Sequence, residues 1–194
     1  MAIKFSYTEK SLLLQIARDS ITRALQDEDQ RNLDPEDYPP HLREPGASFV
    51  TLTIKGVLRG CIGSIEISQP LVIDVRDRAL AAAFEDPRFP PLSEHELNDV
   101  EIEISVLTSP ESLIYQDPAE LPDLLRPGVD GVILRHQYRR ATFLPQVWET
   151  LPSPELFLGR LCQKMGLPAD TWKRFPMEVE TYQVEKFTED ELRS

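Results

Sequence analysis

The stretch VEIEISVL, residues 100–107, alternates apolar and polar side chains. Val100, Ile102, Ile104 and Val106 fall on one face, and Glu101, Glu103 and Ser105 on the other. A period of two means a strand with one face on a core. Strands buried on both faces, as in parallel sheets, read instead as continuous apolar runs. A fold that accommodates this segment therefore needs a sheet with one wet face and a partner layer for the other.

The remaining pattern agrees. SFVTLTIKGVLRGCIGSIEI (48–67) reads as a hairpin turning at Lys55-Gly56. GVILRHQYRRATFL (131–144) reads as a second, turning near Gln137-Tyr138, and MEVETYQVEKF (177–187) as one last strand. Residues 8–27 carry Leu13, Ile16, Ala17, Ser20 and Ala24 at helical steps. Pro70 opens a helix running to about Asp86, with a small-residue surface of Ala79, Ala81, Ala82 and Ala83 suited to close packing on a sheet. Ser93 and Glu96 form a capping-box pattern, and Asp117, Pro118 and Glu120 begin another short helix. Ser153-Pro154 starts a helix that Gly166 ends, with Phe157, Leu158, Leu161, Cys162 and Met165 on its buried side. Residues 28–46 are acidic and proline-rich, and read as an ordered loop or irregular arm anchored by Tyr38 and Leu42. Strands and helices do not alternate in regular βαβ units, so the fold class is α+β with mostly antiparallel pairing.

Composition narrows the function classes. The net charge of −12 disfavours unspecific binding to nucleic acid or to an anionic membrane. The only dense basic cluster is RHQYRR, Arg135 to Arg140. No apolar run approaches the ~20 residues that span a bilayer. The first twenty residues lack a signal-peptide pattern, so a cytoplasmic location is expected. Cys61 and Cys162 form no metal-ligand spacing, the three histidines are scattered, and both thiols are expected to be reduced. No metal is expected, and the pattern points to no cofactor.

The chemistry concentrates in LRGCIG, residues 58–63. If Val57 to Ile67 is an unbroken strand, Arg59 and Cys61 share a face, about 7 Å apart. A guanidinium so placed favours thiolate. Gly60 and Gly63 let a ligand, or another chain segment, come close. The competing reading is packing: free cysteine is among the most buried residues, and the glycines would admit the alanine-rich helix or form a bulge. A thiol nucleophile also needs a base, and no Cys-His pairing is legible. Packing outweighs the nucleophile on these grounds, and Cys162 reads as core. In EDPRFPP, Asp86 and Arg88 read equally as a polar site stiffened by prolines and as the completed end of a helix. Arg139 and Arg140 lie at a turn, where arginines are more often solvated. Glu101 and Glu103 read as the wet face of their strand, with a cleft lining opposite the arginines as the other reading.

Five segments, SFVTLTIKGVLRGCIGSIE, ALAAAFEDPRFPPLSEHEL, VEIEISVLTSPE, PGVDGVILRHQYRRATFLPQVW and LFLGRLCQKMGLPADTW, resemble the AMMECR domain family, whose prokaryotic members are called AmmeMemoRadiSam system protein A. They occur in family order between about residue 10 and residue 187, and the signature hexapeptide LRGCIG is complete. The resemblance implies one domain over residues 1–194, of α/β type with two unequal lobes, and a cleft bordered by the hexapeptide. It implies company with a Memo-like protein and a radical SAM protein. It assigns no reaction. The expected site takes a small polar or anionic ligand through Arg59, Gly60, Gly63, Arg88 and Arg140. Cys61 serves there as nucleophile, contact or redox-sensitive group. The alternative is a non-catalytic protein–protein interaction module. In RHQYRR the chain departs from the glycine that many relatives carry in the turn.

Overall fold

The structure is a computed structural model and describes residues 5–28 and 33–193. These form two compact units: one runs to Leu107 and resumes at Glu185, and the other is Thr108–Val184. Their class is α+β, and every register described below is antiparallel.

The first unit begins with α1 (Tyr7–Leu25), started by Ser6 and Glu9 in a reciprocal capping box. Leu13, Ile16, Ala17 and Ser20 are buried as their spacing predicts, whereas Ala24 is only half-buried and Ile21 closes the stripe. The described part of the proline-rich arm holds a short 3-10 turn (Pro35–Asp37) and α2 (Pro40–Arg43). Leu42 is fully buried and Tyr38 packs on the same core, so both anchors hold; residues 29–32 of the arm lie outside the described residues.

The first hairpin is β1 (Pro45–Ile54) and β2 (Val57–Gly63). Lys55 and Gly56 both adopt positive φ, 52° and 75°, as a two-residue turn of matching twist requires. β3 (Gln69–Pro70) also pairs with β1, and α3 (Leu71–Phe84) follows. Pro70 is thus the residue before the helix, and the helix ends two residues earlier than expected. Ser93 and Glu96 make the expected capping box, here on the 3-10 turn Glu94–Glu96. β4 (Val100–Leu107) pairs with β1 from Ala47↔Leu107 to Ile54↔Val100. α3 packs on β1 and β2 and against α1. Ser105, expected to be wet, is buried.

The second unit contains β5 (Glu111–Ser112), α4 (Leu121–Leu124), β6 (Gly131–His136), β7 (Arg139–Phe143), α5 (Pro154–Lys164), α6 (Thr171–Arg174) and β8 (Glu178–Tyr182), with sheet order β5-β8-β6-β7. Asp117 caps the 3-10 turn before α4, and Ser153 accepts from the Leu156 amide at the start of α5. All five predicted inner residues of the latter helix are buried, and the Trp148 and Phe157 rings stack 3.7 Å apart.

The C-terminal segment departs from the single expected strand. It is broken at Gln183 into β8 and β9 (Val184–Thr188), which join different sheets. The Gln183 amide donates to the Thr108 hydroxyl at 2.8 Å, and its carbonyl accepts from the Thr108 amide at 2.9 Å. Those bonds replace the ladder at the break. β9 completes the order β2-β1-β4-β9 in the first unit, and α7 (Glu189–Arg193) closes the chain. Among the described residues no helix is long and apolar enough to cross a membrane.

Candidate functional site

The hexapeptide forms β2, an edge strand of its sheet. Its register with β1 contains an irregularity: Leu52 faces Gly60 but Thr53 faces Leu58, so Arg59 is an extra residue. Such a bulge bends the strand and re-aims its side chains. The unbroken alternation expected over residues 57–67 therefore fails, and the strand ends at Gly63.

Past the bulge, Gly60 turns to the core. A Cβ there would meet the Ala82 carbonyl oxygen of α3 at 2.1 Å, so the glycine allows the helix to lie on the strand. A Cβ on Gly63 would meet the Phe49 ring at 2.2 Å. In both cases the space beside the glycine is filled by the chain itself.

Cys61 takes the opposite face from Gly60 and stands opposite Thr51. The Thr51 hydroxyl donates to Sγ at 3.3 Å. The Cys61 amide points off the sheet edge and donates to Asp86 Oδ2 at 2.9 Å, while its carbonyl accepts from Arg88 Nη2 at 3.2 Å. Arg88 is bound in turn to Asp86, through Nε to Oδ1 at 2.9 Å and Nη2 to Oδ2 at 2.6 Å. The backbone amide of Arg88 adds a bond to Oδ1 at 3.1 Å. The acid and the arginine thus offer Cys61 the acceptor and donor that a neighbouring strand would offer. Exposed strand edges recruit other chains, and this cover removes that hazard at one residue.

Asp86 is only 4 % exposed, and Arg88 holds its carboxyl well below the usual range; burial opposes the shift and the Cys61 amide adds to it. The Arg88 guanidinium proton is held more firmly than usual, chiefly by Asp86, with the Cys61 thiol contributing. The guanidinium that interacts with Cys61 is therefore that of Arg88.

Arg59 is committed elsewhere. Its Nε donates to Glu96 Oε1 at 2.7 Å and its Nη2 to Oε2 at 3.1 Å, a bidentate pair. Arg59 holds the Glu96 carboxyl down to about 2; burial opposes this and Ser93 assists. The Phe89 ring lies near both arginines, 6.0 Å from the Arg59 guanidinium and 5.5 Å from that of Arg88. The structure so brings together Arg59, Gly60, Cys61, Gly63 and Arg88, and adds Thr51, Asp86, Phe89 and Glu96. Of these, Asp86 was legible only as one reading of EDPRFPP, and Glu96 only as a cap. Their separations from Cys61 and Arg59, 25 and 37 residues, leave no periodic signal.

Arg140 belongs to the second unit. It sits on β7 opposite Arg135, and its charge acts on the Tyr182 phenol, which burial pushes up to about 12. Arg135 forms a cross-strand pair with Glu180 at 3.0 Å, and in the first unit Glu103 pairs with Lys186 at 3.1 Å. Cys162 is fully buried, and burial pushes its thiol up. Among the described residues no group of three or more His, Cys, Asp and Glu side chains is arranged to hold a metal ion.

Comparison with known proteins places these residues in a wider set. Residues 14–187 match the AMMECR1 family. A protein of Methanothermobacter thermautotrophicus is 41% identical over 95% of this chain and 96% of its own length. One from Thermofilum pendens is 39% identical, covering 96% and 92%. The crystal structure of an uncharacterized protein from Pyrococcus horikoshii superposes with a TM-score of 0.82 at 36% identity, covering 97% of this chain and 94% of that one.

Proposed function

The chain belongs to the AMMECR1 family, and from that premise we propose that it binds a small anionic ligand, a carboxylate or phosphate, at the Cys61–Arg88 surface of its signature strand. The observation that carries this is the state of Arg88. Its side chain is 53% exposed, yet Nε and Nη2 are fixed by Asp86 and the Cys61 carbonyl. A guanidinium held in one orientation, whose Nη1 makes no bond among the described residues, loses little freedom on meeting an anion. The half-buried Cys61 thiol beside it supplies a polarizable contact. Gly60 and Gly63 set the shape of the strand, and Arg59 also lies over the Phe89 ring. Arg140 is not needed by this reading. No reaction is assigned, because the group bonded to Sγ is a hydroxyl that donates, not a base. In the cell the chain would serve as the ligand-holding member beside Memo-like and radical SAM proteins.

Calorimetric titration with inorganic phosphate and with citrate tests it. Saturable binding is expected in the natural chain, lost in Arg88→Ala and weakened in Arg88→Lys, since lysine lacks the planar fork. Equal binding in Arg88→Ala would refute the proposal.

A second reading, a non-catalytic docking module, is favoured by one observation. Val57 and Leu58, at the tip of the first hairpin, are exposed apolar side chains. If that tip docks on a Memo-like protein, Val57→Asp with Leu58→Asp abolishes co-purification and leaves anion binding unchanged.

A further inference from the structure

The second unit carries a cavity of about 270 Å³ between the β6–β7 turn and residues 167–175. Its lining includes His136, Tyr138, Arg139, Asp170, Arg174 and Phe175. One feature is not explained by folding. Tyr138 is 85% exposed and Phe175 50%, so two large aromatic faces stand in water at one opening. Gln137, which precedes Tyr138, has φ 56°, as the first position of a two-residue hairpin turn requires, and the turn presents Tyr138 at its tip.

The charged groups give the site a sign. Arg139 Nη1 donates to the carbonyls of Met165 and Gly166, at 3.0 and 2.7 Å, at the end of α5. That anchors the guanidinium, sets it 5.6 Å from the Tyr138 ring, and leaves Nε and Nη2 for another partner. Arg174 is paired with Asp170. The His136 ring lies 5.8 Å from that of Phe175. Among the described residues, Arg139 has no carboxylate partner at this opening, in a chain whose net charge is −12.

We propose that this cavity binds a small flat ring bearing an anionic group, the ring against Tyr138 and Phe175 and the carboxylate or phosphate against Arg139. The volume admits little more than one such molecule, since pockets for larger ligands span about 300–1,000 Å³. The site lies wholly within the second unit and does not depend on the Arg88 reading.

The test is amide chemical-shift titration of the ¹⁵N-labelled full chain with adenosine 5′-monophosphate and, separately, benzoate. Saturable shifts centred on residues 136–139 and 170–175 are expected with at least one of them, and the tighter one assigns the anion as phosphate or carboxylate. Adenosine and benzamide, which lack the charge, should bind about tenfold more weakly. Tyr138→Ala and Phe175→Ala, both at exposed positions, should each weaken binding about tenfold, as loss of an aromatic platform does. Arg88→Ala should leave it unchanged. No saturable shift with either probe, or undiminished binding in both aromatic variants, would overturn the assignment.

Discussion

Asp86 is the residue on which the candidate site turns, because it holds the Cys61 amide and the Arg88 guanidinium at once. Replacing it by alanine leaves both without their acceptor and should cost about 2 kcal/mol in urea unfolding. The pH dependence has a definite sign. The folded carboxyl lies below its unfolded value of about 3.9, so its contribution is complete above that value and fades as pH falls. The gap between the natural chain and Asp86→Asn should therefore be constant above about pH 5 and narrow below about pH 4. Glu96 behaves alike: its contribution declines as pH falls from 4.5 through about 2, and Glu96→Gln should flatten that part of the stability curve. A thiol reagent should modify Cys61 in the native chain and Cys162 only on unfolding, as their burial differs. At this scale the sequence singled out Arg59, Cys61 and Arg88 as candidates but did not show how they pair. Arg59 and Cys61 looked like partners because a strand alternates, and one extra residue was enough to send Arg59 to Glu96.

The elements were more legible. The strict alternation of β4, the Lys55-Gly56 turn, the capping residues and the buried stripe of α5 are local signals, and each produced its element. The bulge in β2 was legible only as one reading of the glycines, and its place at Arg59 was not, because register is a property of two strands. The alanine surface of α3 and Gly60 on β2 turn out to be one contact. Gly60→Ala must push the helix backbone away and should destabilise the chain by about 3 kcal/mol, measurable in urea unfolding. Lys55→Asn, in contrast, suits the left-handed turn position and should raise stability by a few tenths of a kcal/mol, roughly 0.5 at most.

On the scale of the whole molecule, the path of the chain is the least local feature. Residues 177–187 read as one strand because they hold no glycine or proline to break it, although their apolar positions change phase between Val179 and Tyr182; the segment leaves one sheet at Gln183 and enters another. Phe187 then fills the first unit's core, and Glu189 accepts from Arg18 and from the Ile102 amide. Phe187→Ala should accordingly cost about 3–5 kcal/mol in the unfolding of the first unit. In that unit the outer edge of the signature strand is completed at Cys61 by Asp86 and Arg88. Hydrogen exchange at the Cys61 amide tests it most directly. In the natural chain this edge-strand amide should exchange slowly; in Asp86→Ala it should speed up by about tenfold or more beyond the change at the core Val50 amide of β1, which follows global stability alone. Equal Cys61 exchange in the two proteins would contradict it.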